Sequence, residues 1–392
     1  MSTSSGKNGN GERERDLVLD GLRGLAILPV VVYHSVHLHP YSLGGRLAMA
    51  FPAAGWAGVD LFFVLSGFLI TRILVRERGS ENYFQAFYAR RILRIFPLYF
   101  ALVFVVLVGL PLLGESRQFW SKLGSHEPLW YWIFLGNFYD GGAGLWHNTL
   151  FNPSWSLCVE EHFYLAWPLL VFRLRTSTMR SLCVGLLIGS FGLRCAALAL
   201  HVNALAVYVM TPMRMDGLAV GSWIALSARS PGDFAQLAAR SKRLLPLLGG
   251  LFVGLVLLLQ VFPEALGNHS GELPIHPLMQ TAGFLILAVF FGRLLVAAMS
   301  SAPGSWLRRL CEARALRVIG GYSYAIYLLH VPFEIAVRYW VLPAPPTDTL
   351  ALVADQLLRV ALVLGLSFIA ASWTWRLIEA PALRQRARFR FR

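Results

Sequence analysis

Apolar residues occur along this chain in long continuous runs, separated by short polar or basic stretches. Several runs reach the roughly 20 residues that a helix needs to cross about 30 Å of hydrocarbon. They do not alternate apolar and polar residues, as the strands of a membrane barrel do. The pattern therefore predicts an all-α, polytopic integral membrane bundle. We predict about ten transmembrane helices, near residues 19–38, 55–75, 95–113, 157–174, 181–200, 207–228, 244–262, 278–299, 318–340 and 351–378.

One segment, 114–156, interrupts this pattern between the third and fourth predicted spans. It contains Trp130, Trp132, Trp146 and Trp155 together with several glycines. Aromatic side chains favour the headgroup level of a bilayer. Irregular backbone at membrane depth is tolerated only where protein or a water-filled cavity satisfies it. We therefore predict a re-entrant or interfacial segment that acts as a lid.

Composition agrees with a membrane protein, and charge predicts its orientation. Hydrophobic residues make up 56% of the 392 residues, more than one soluble core would bury. Lysine and arginine concentrate in the loops on one side, whereas the opposite loops carry only Arg46, Arg117 and Lys122. Basic loops stay in the cytoplasm, and an even number of spans returns the chain to its starting side. We expect an integral membrane protein with both termini in the cytoplasm.

Charge and motifs also exclude some classes of function. The net charge of +14 does not predict nucleic-acid binding, because the basic residues are spread over membrane-flanking loops. Membrane lipids with anionic headgroups are the expected partners of the basic tail. Neither CxxC, HExxH, P-loop nor GxSxG patterns occur, so we predict no metal site and no nucleotide hydrolysis.

The chain reads as one integral domain with short polar ends. No internal repeat is evident, and no loop is long enough for a second domain. We predict a disordered cytoplasmic N-terminus at 1–15, a membrane domain at 16–380 and a basic cytoplasmic tail at 381–392.

The first span carries ionisable residues, which inside a membrane mark a functional site by default. Arg23 and His34 are eleven residues apart, so they share one helical face about 16 Å apart along the axis. Asp20 can pair with Arg23, which leaves a purely structural role for Arg23 equally open. A histidine suits general base catalysis. A hydrogen-bonded packing role for His34 also stays open.

Two further clusters combine residue types that carry chemistry. Glu160 and Glu161 open the fourth span, where one carboxylate assists proton transfer while its neighbour points to a different face. A helix N-terminus also attracts acids for structural reasons. Arg91 and Arg94 share one face before the third span and suit phosphate binding. Taken alone, this second cluster is explained as well by the positive-inside rule.

Other polar residues within the spans are predicted to have structural roles. Asp60 is expected in a polar network and Ser66-Gly67 in close helix packing. The charged pair Arg214 and Asp216, and the ninth-span residue His330, are interpreted as ion-pair and hydrogen-bond scaffolding.

Four segments together resemble the motifs of the membrane acyltransferase-3 family of polysaccharide O-acetylases. They are LDGLRGLA (19–26) followed by His34, GVDLFFVLSGF (58–68), RRILR (90–94) and WSLCVEE (155–161). The resemblance implies that the Arg-x10-His pair, here Arg23 and His34, is essential. It also implies that the Arg-x-x-Arg pair, here Arg91 and Arg94, serves acyl-coenzyme A.

The resemblance further implies an acyltransferase with no bound cofactor. Acyl-coenzyme A, by default acetyl-coenzyme A, is the co-substrate, and the acceptor is a hydroxyl of a carbohydrate, glycolipid or lipid-linked molecule. Some members carry a fused extracytoplasmic hydrolase-like domain. Because this chain ends soon after Pro381, we expect the stand-alone form.

Our hypothesis from the sequence has the donor enter from the cytoplasm and His34 activate the acceptor hydroxyl or relay the acyl group. One of the two glutamates orients His34 or accepts its proton. The predicted catalytic residues are His34, Glu160 and Glu161, and the predicted donor-binding residues are Arg23, Arg90, Arg91 and Arg94. The alternative is a transporter in which these buried charges form a substrate or proton pathway, disfavoured because no two similar halves with interrupted helices are evident.

Overall fold

The structure is a computed structural model that describes residues 5–36, 43–109, 129–241, 244–263, 273–343, 346 and 349–392. In these residues all regular structure is helical, as predicted. Arg117, Lys122 and the first part of the predicted lid, residues 114–128, lie outside the described ranges. The α-helices are α1 (Ser5–Ser35), α2 (Leu43–Ala53), α3 (Gly58–Arg76), α4 (Tyr83–Phe104), α5 (Leu129–Trp132), α6 (Gly136–Ala143), α7 (Ser154–Arg173), α8 (Thr176–Ala199), α9 (Ala204–Val209), α10 (Asp216–Ser227), α11 (Pro231–Ser241), α12 (Leu244–Val261), α13 (Phe284–Ser300), α14 (Trp306–Glu312), α15 (Arg314–Gly321), α16 (Ser323–Ala336), α17 (Thr349–Thr374) and α18 (Ala380–Arg384).

Seven helical segments of the described chain are long and apolar enough to cross a membrane. They are Leu17–Ser35, Gly44–Arg76, Tyr83–Gly109, Thr176–Ala199, Leu244–Val261, Met279–Ser300 and Ala351–Arg388. The integral membrane class is thus confirmed, whereas the count of about ten is not. The three other predicted spans coincide with α7, with the broken run α9–α10, and with α15–α16. Polar residues such as Glu160 and Arg214 lower the hydropathy of α7 and divide the second run.

Helix α1 runs without interruption through Pro29. It begins at Ser5, inside the segment that the sequence predicts to be disordered, and its membrane-length part is Leu17–Ser35. Arg23 and His34 therefore lie on one continuous helix, which confirms that a single element carries both.

Glycines allow the central helices to approach closely. A Cβ atom on Gly67 of α3 would lie 2.1 Å from the backbone oxygen of Leu218 in α10. On the same interface, one on Gly221 would lie 2.0 Å from the oxygen of Val64. Small residues let membrane helices pack backbone against backbone. The predicted packing role of Gly67 is confirmed.

A buried charge network joins α3, α8 and α10. Arg214 donates to Asp60 at 2.7 Å, and Arg194 lies 3.0 Å from Asp216. All four side chains are almost wholly buried. The guanidinium of Arg214 also lies 3.9 Å from the ring centroid of Phe284. The predicted scaffolding roles of Asp60, Arg214 and Asp216 agree with this pairing.

The described part of the predicted lid contains two short α-helices, α5 and α6, of four and eight residues, followed by a 3₁₀ turn at Thr149–Phe151 and the start of α7. Helices α5 and α6 are both too short to cross a membrane. Asp140 ties the segment together, because it accepts hydrogen bonds from the Tyr131 hydroxyl at 3.1 Å and the His147 backbone N–H at 3.1 Å. His147 Nδ1 lies 3.0 Å from the same carboxylate. Burial raises the pKa of Asp140, and these hydrogen bonds oppose the rise.

Candidate active site

One polar cavity of about 130 Å³ lies between α1, α3, α4, α7 and α16. It gathers charged and hydroxyl side chains from segments far apart in the sequence. Its polar lining residues are Arg23, Ser66, Arg91, Arg94, Ser156, Glu160, Tyr164, Ser323, Tyr324 and Tyr327. Four of the seven predicted site residues, Arg23, Arg91, Arg94 and Glu160, are therefore brought together in one place.

Three arginines line the cavity and differ in their partners. Arg23 pairs with Asp20 at 2.9 Å, as its structural interpretation predicts, yet it also lines the cavity. Arg94 lies 3.5 Å from Glu379. Arg91 lies over the rings of Phe87 and Tyr164 and forms no ion pair with any described residue.

Arg90 does not line the cavity. Consecutive helical residues point about 100° apart, so the neighbours Arg90 and Arg91 project differently from α4. The guanidinium of Arg90 lies 5.5 Å from the ring centroid of Phe391, near the end of the chain. Of the predicted donor-binding residues, Arg90 is the one that the structure places on a different surface.

The two adjacent glutamates are separated in the same way. Glu160 lines the cavity and accepts hydrogen bonds from Ser66 at 2.6 Å and Tyr164 at 3.0 Å. Glu161 is not among the lining residues, and its Oε1 is buried without a hydrogen-bond partner in the described chain. Helical geometry predicts this divergence, but only the packing of α7 selects the residue that reaches the cavity.

Ser66 has a different place from the one predicted. The sequence interpretation assigned it to helix packing, together with Gly67. Its hydroxyl instead lines the cavity and donates to Glu160. Because α3 turns Gly67 toward α10 and consecutive helical residues point about 100° apart, Ser66 lies on a different face of the helix. The packing role predicted for Ser66 is wrong.

His34 lies beside a second histidine. His330 Nε2 is 3.3 Å from His34 Nδ1, and the ring centroids are 4.9 Å apart. His330 Nδ1 lies 2.7 Å from the carbonyl oxygen of Tyr327, and His34 Nδ1 lies 2.9 Å from that of Val30. Because a carbonyl oxygen only accepts a hydrogen bond, each Nδ1 carries a proton. His330 donates its Nδ1 proton to the Tyr327 carbonyl. His34 shares its Nδ1 proton between the Val30 carbonyl and His330 Nε2. The lone pair of His34 resides on Nε2.

Tyr327 connects the histidine pair with the cavity. Its ring centroid lies 5.7 Å from that of His330. Its hydroxyl lines the cavity, lies 2.6 Å from Ser156 Oγ and donates to the Pro153 carbonyl at 2.9 Å. Tyr327 thus contacts the histidine pair and lines the same cavity as the arginines. The pairing of a glutamate with His34 stays a prediction, since Glu160 is held by Ser66 and Tyr164.

Sequence reasoning missed the role of His330 as the neighbour of His34. A signal existed, because an ionisable residue within an apolar helix is a functional candidate. However, the two histidines are separated by 296 residues, and helical periodicity relates only residues of one element. Tyr164 and Tyr327 were missed for the same reason.

A family model described as an acyltransferase domain matches residues 16–376 of the chain. The chain belongs to the acyltransferase-3 family. This match covers the cavity, the histidine pair and every predicted site residue. It confirms the resemblance inferred from the four sequence motifs.

Three curated bacterial proteins are similar to the chain. The chain is 29% identical over 377 residues to peptidoglycan O-acetyltransferase OatA of Listeria monocytogenes, covering 93% of this chain and 55% of that protein. It is 29% identical over 334 residues to the putative peptidoglycan O-acetyltransferase YrhL of Bacillus subtilis, covering 80% of this chain and 48% of that protein. It is 27% identical to O-acetyltransferase OatA of Staphylococcus aureus, covering 93% of this chain and 56% of that protein. The chain spans about half the length of these relatives. No solved structure matches.

Proposed function

We propose that this chain is a membrane-embedded O-acyltransferase that moves an acyl group, acetyl by default, from acyl-coenzyme A to a hydroxyl of a cell-envelope carbohydrate. The proposal carries over to this chain the activity named for its relatives, of which it spans about half. One observation supports it above all others. Arg23, Arg91 and Arg94 converge in a single polar cavity, and the helix that carries Arg23 also carries His34.

The arginine end of the cavity supports a phosphate-bearing donor. Guanidinium groups bind phosphates in a bidentate manner, and coenzyme A carries phosphates. Arg91 has aromatic faces as its described partners, so its N–H groups can turn to a ligand without breaking an ion pair. In this proposal the nucleotide binds at the arginines, on the cytoplasmic side, and the thioester points past Glu160 toward Tyr327.

The histidine pair supports general base chemistry. In our mechanism His34 Nε2 takes the proton from the acceptor hydroxyl, and the oxygen attacks the thioester carbonyl. The C–S bond of the tetrahedral intermediate then breaks, and the coenzyme A thiolate receives the proton from His34. His330 accepts a hydrogen bond from His34 Nδ1, which holds the imidazole in the tautomer that this step requires.

Glu160 is the better supported of the two glutamates. It lines the cavity and orients the hydroxyls of Ser66 and Tyr164. Its negative charge also offsets the positive charge of the arginines before the donor binds. We assign it to holding these hydroxyls around the thioester, and Glu161 to support of α7.

The relatives' names and the lid support a carbohydrate acceptor. Two of the relatives are named as acting on peptidoglycan. We propose a cell-wall saccharide as the acceptor, with the bacterial inner membrane as the location and both termini in the cytoplasm. Residues 129–151 would border the acceptor entrance.

Acyl transfer in proteoliposomes with labelled acetyl-coenzyme A tests the proposal. Wild type, His34→Ala and Arg91→Ala proteins are reconstituted at matched amounts and supplied with a soluble saccharide acceptor or with cell-wall fragments. We expect labelled saccharide with wild type and a loss of product with both variants. Ester formation in the product is checked by its release with mild alkali.

Two results would overturn the proposal. One is wild-type protein that inserts and folds but transfers no label to any hydroxyl acceptor. The other is solute flux that needs no acyl donor and persists in both variants, which would favour a transporter.

A further inference from the structure

The last residues of the chain fold back onto the start of α4. Glu81 donates its backbone N–H to the Arg392 carbonyl at 2.8 Å, and Arg392 donates its N–H to the Asn82 side chain at 3.0 Å. The Asn82 amide donates to the Arg390 carbonyl at 2.8 Å. The segment 385–392, which we name the C-terminal strap, is therefore held next to the arginines of α4 by the protein itself.

This strap places one arginine differently from the others. Arg386 is partly buried, and its Nε is wholly buried without a hydrogen-bond partner among the described residues. Its guanidinium interacts electrostatically with those of Arg90, Arg91 and Arg94. By contrast, Arg384 and Arg388 are exposed. Exposed arginines suit the lipid headgroups predicted for the tail, whereas Arg386 faces into the protein.

Like charges gathered in a partly buried place need a counter-ion. Asp20 pairs with Arg23 and Glu379 with Arg94. The carboxylates of Glu160 and Glu161 also act on Arg91, but neither forms an ion pair with it. Arg386 lies within electrostatic range of Arg91, and neither arginine forms an ion pair with a described residue. Guanidinium groups desolvated in this way bind an anion strongly, and a phosphate matches their donor geometry.

We propose that Arg386 of the C-terminal strap and Arg91 of α4 form a phosphate-binding site, and that the phosphate belongs to the nucleotide part of the acyl donor. The site rests on the proposed function, because it shares Arg91 with the donor end of the cavity. The strap is then a functional part of the donor site and not only a lipid-binding tail. A lipid headgroup offers the same phosphate chemistry, so the test must separate the two sources.

Steady-state kinetics of the full chain in nanodiscs supplies that test. Wild type, Arg386→Gln and the matched control Arg388→Gln are compared with acetyl-coenzyme A in discs of zwitterionic lipid and in discs with added anionic phosphatidylglycerol. Loss of one charge-assisted hydrogen bond to a phosphate raises KM about tenfold or more. We expect this rise for Arg386→Gln in both lipids with little change in kcat, and wild-type values for Arg388→Gln.

Each other result has a definite meaning. An unchanged KM for Arg386→Gln overturns the phosphate site, and so does a rise in KM that appears only with anionic lipid. Wild-type protein that does not use acetyl-coenzyme A defeats the proposed function itself, which is a separate outcome. If Arg386→Gln does not fold, Arg386→Lys keeps the charge but not the forked geometry, and its KM should rise by a smaller factor.

Discussion

Two groups of buried charge lie in the same bundle and are paired in different ways. In the first, Asp60 and Asp216 match Arg214 and Arg194 one to one, and all four are almost wholly buried. In the second, the three cavity arginines have two ion-pair partners, and Arg91 contacts aromatic rings but forms no ion pair with a described residue. A network in which every charge has an ion-pair partner needs no ligand. A charged group beside open space that lacks such a partner is stabilised by one.

The two groups show how buried charge is to be interpreted in a membrane protein. Charge inside a span is costly in both groups. In the first group, ion pairs and the ring of Phe284 repay that cost within the protein. In the second group, Arg91 has no ion-pair partner among the described residues, and in our proposal a bound anion supplies one. The number of partners, more than burial alone, separates scaffold from site.

His34→Ala should have the largest effect. If His34 is the general base, its loss lowers kcat by about 10²–10⁴-fold, while insertion and coenzyme A binding persist. Transfer assays give kcat, and calorimetric titration with coenzyme A gives the affinity. Near-normal turnover in a folded His34→Ala protein would show that the histidine pair belongs with the scaffold.

Asp60→Ala should break the paired network. It leaves Arg214 buried without its carboxylate, which lowers the free energy of unfolding by about 3–5 kcal/mol. Denaturation in detergent measures this change. The matched control is Glu77→Ala, which removes the carboxylate of a surface pair with Arg76 and should cost less than about 1 kcal/mol. Equal losses in both variants would contradict a structural role specific to the buried network.

Glu160→Gln and Glu161→Gln should separate the two adjacent acids. Glu160 accepts two hydrogen bonds in the cavity, and removing its charge there should lower kcat/KM by about 10–100-fold. Glu161→Gln serves as the neighbouring control, with a change below about threefold. The reverse order of effects would mean that Glu161 turns into the cavity when the donor binds.

Arg91→Gln should weaken the donor without slowing the chemistry. The expected rise in KM for acetyl-coenzyme A is about tenfold, with kcat nearly unchanged, and it is measured by initial rates over a range of donor concentrations. Arg173→Gln is a suitable control, because Arg173 is exposed at the end of α7. A drop in kcat at unchanged KM would move Arg91 from donor binding to the reaction step.

Ser66→Ala should have the smallest effect. It removes one neutral donor to Glu160, worth about 1 kcal/mol or roughly fivefold in kcat/KM, and leaves the unfolding transition in place. The adjacent variant Gly67→Ala should instead lower the free energy of unfolding, because it brings a Cβ atom against the backbone oxygen of Leu218. Unfolding and rate measurements on both variants show which of these two adjacent residues acts in the cavity and which acts in helix packing.

The predictions from sequence were strongest where local periodicity decides. Continuous apolar runs predicted the helical membrane class, and the eleven-residue spacing predicted that Arg23 and His34 share a helix. They were weaker where polar residues interrupt a run. The spans 207–228 and 318–340 were predicted from apolar content, but each is divided into shorter helices in the structure.

By itself the sequence determined the membrane class, the family and the helices that carry the charged residues, because each follows from hydropathy and motif spacing along one stretch of chain. The packing of the helices set the rest. Glu160 and not Glu161 reaches the cavity, His330 lies against His34, and Arg386 comes within electrostatic range of the α4 arginines. These contacts join elements that pack against each other after long stretches of intervening chain. Helical periodicity defines the faces of each element, but the packing of whole helices decides which faces meet.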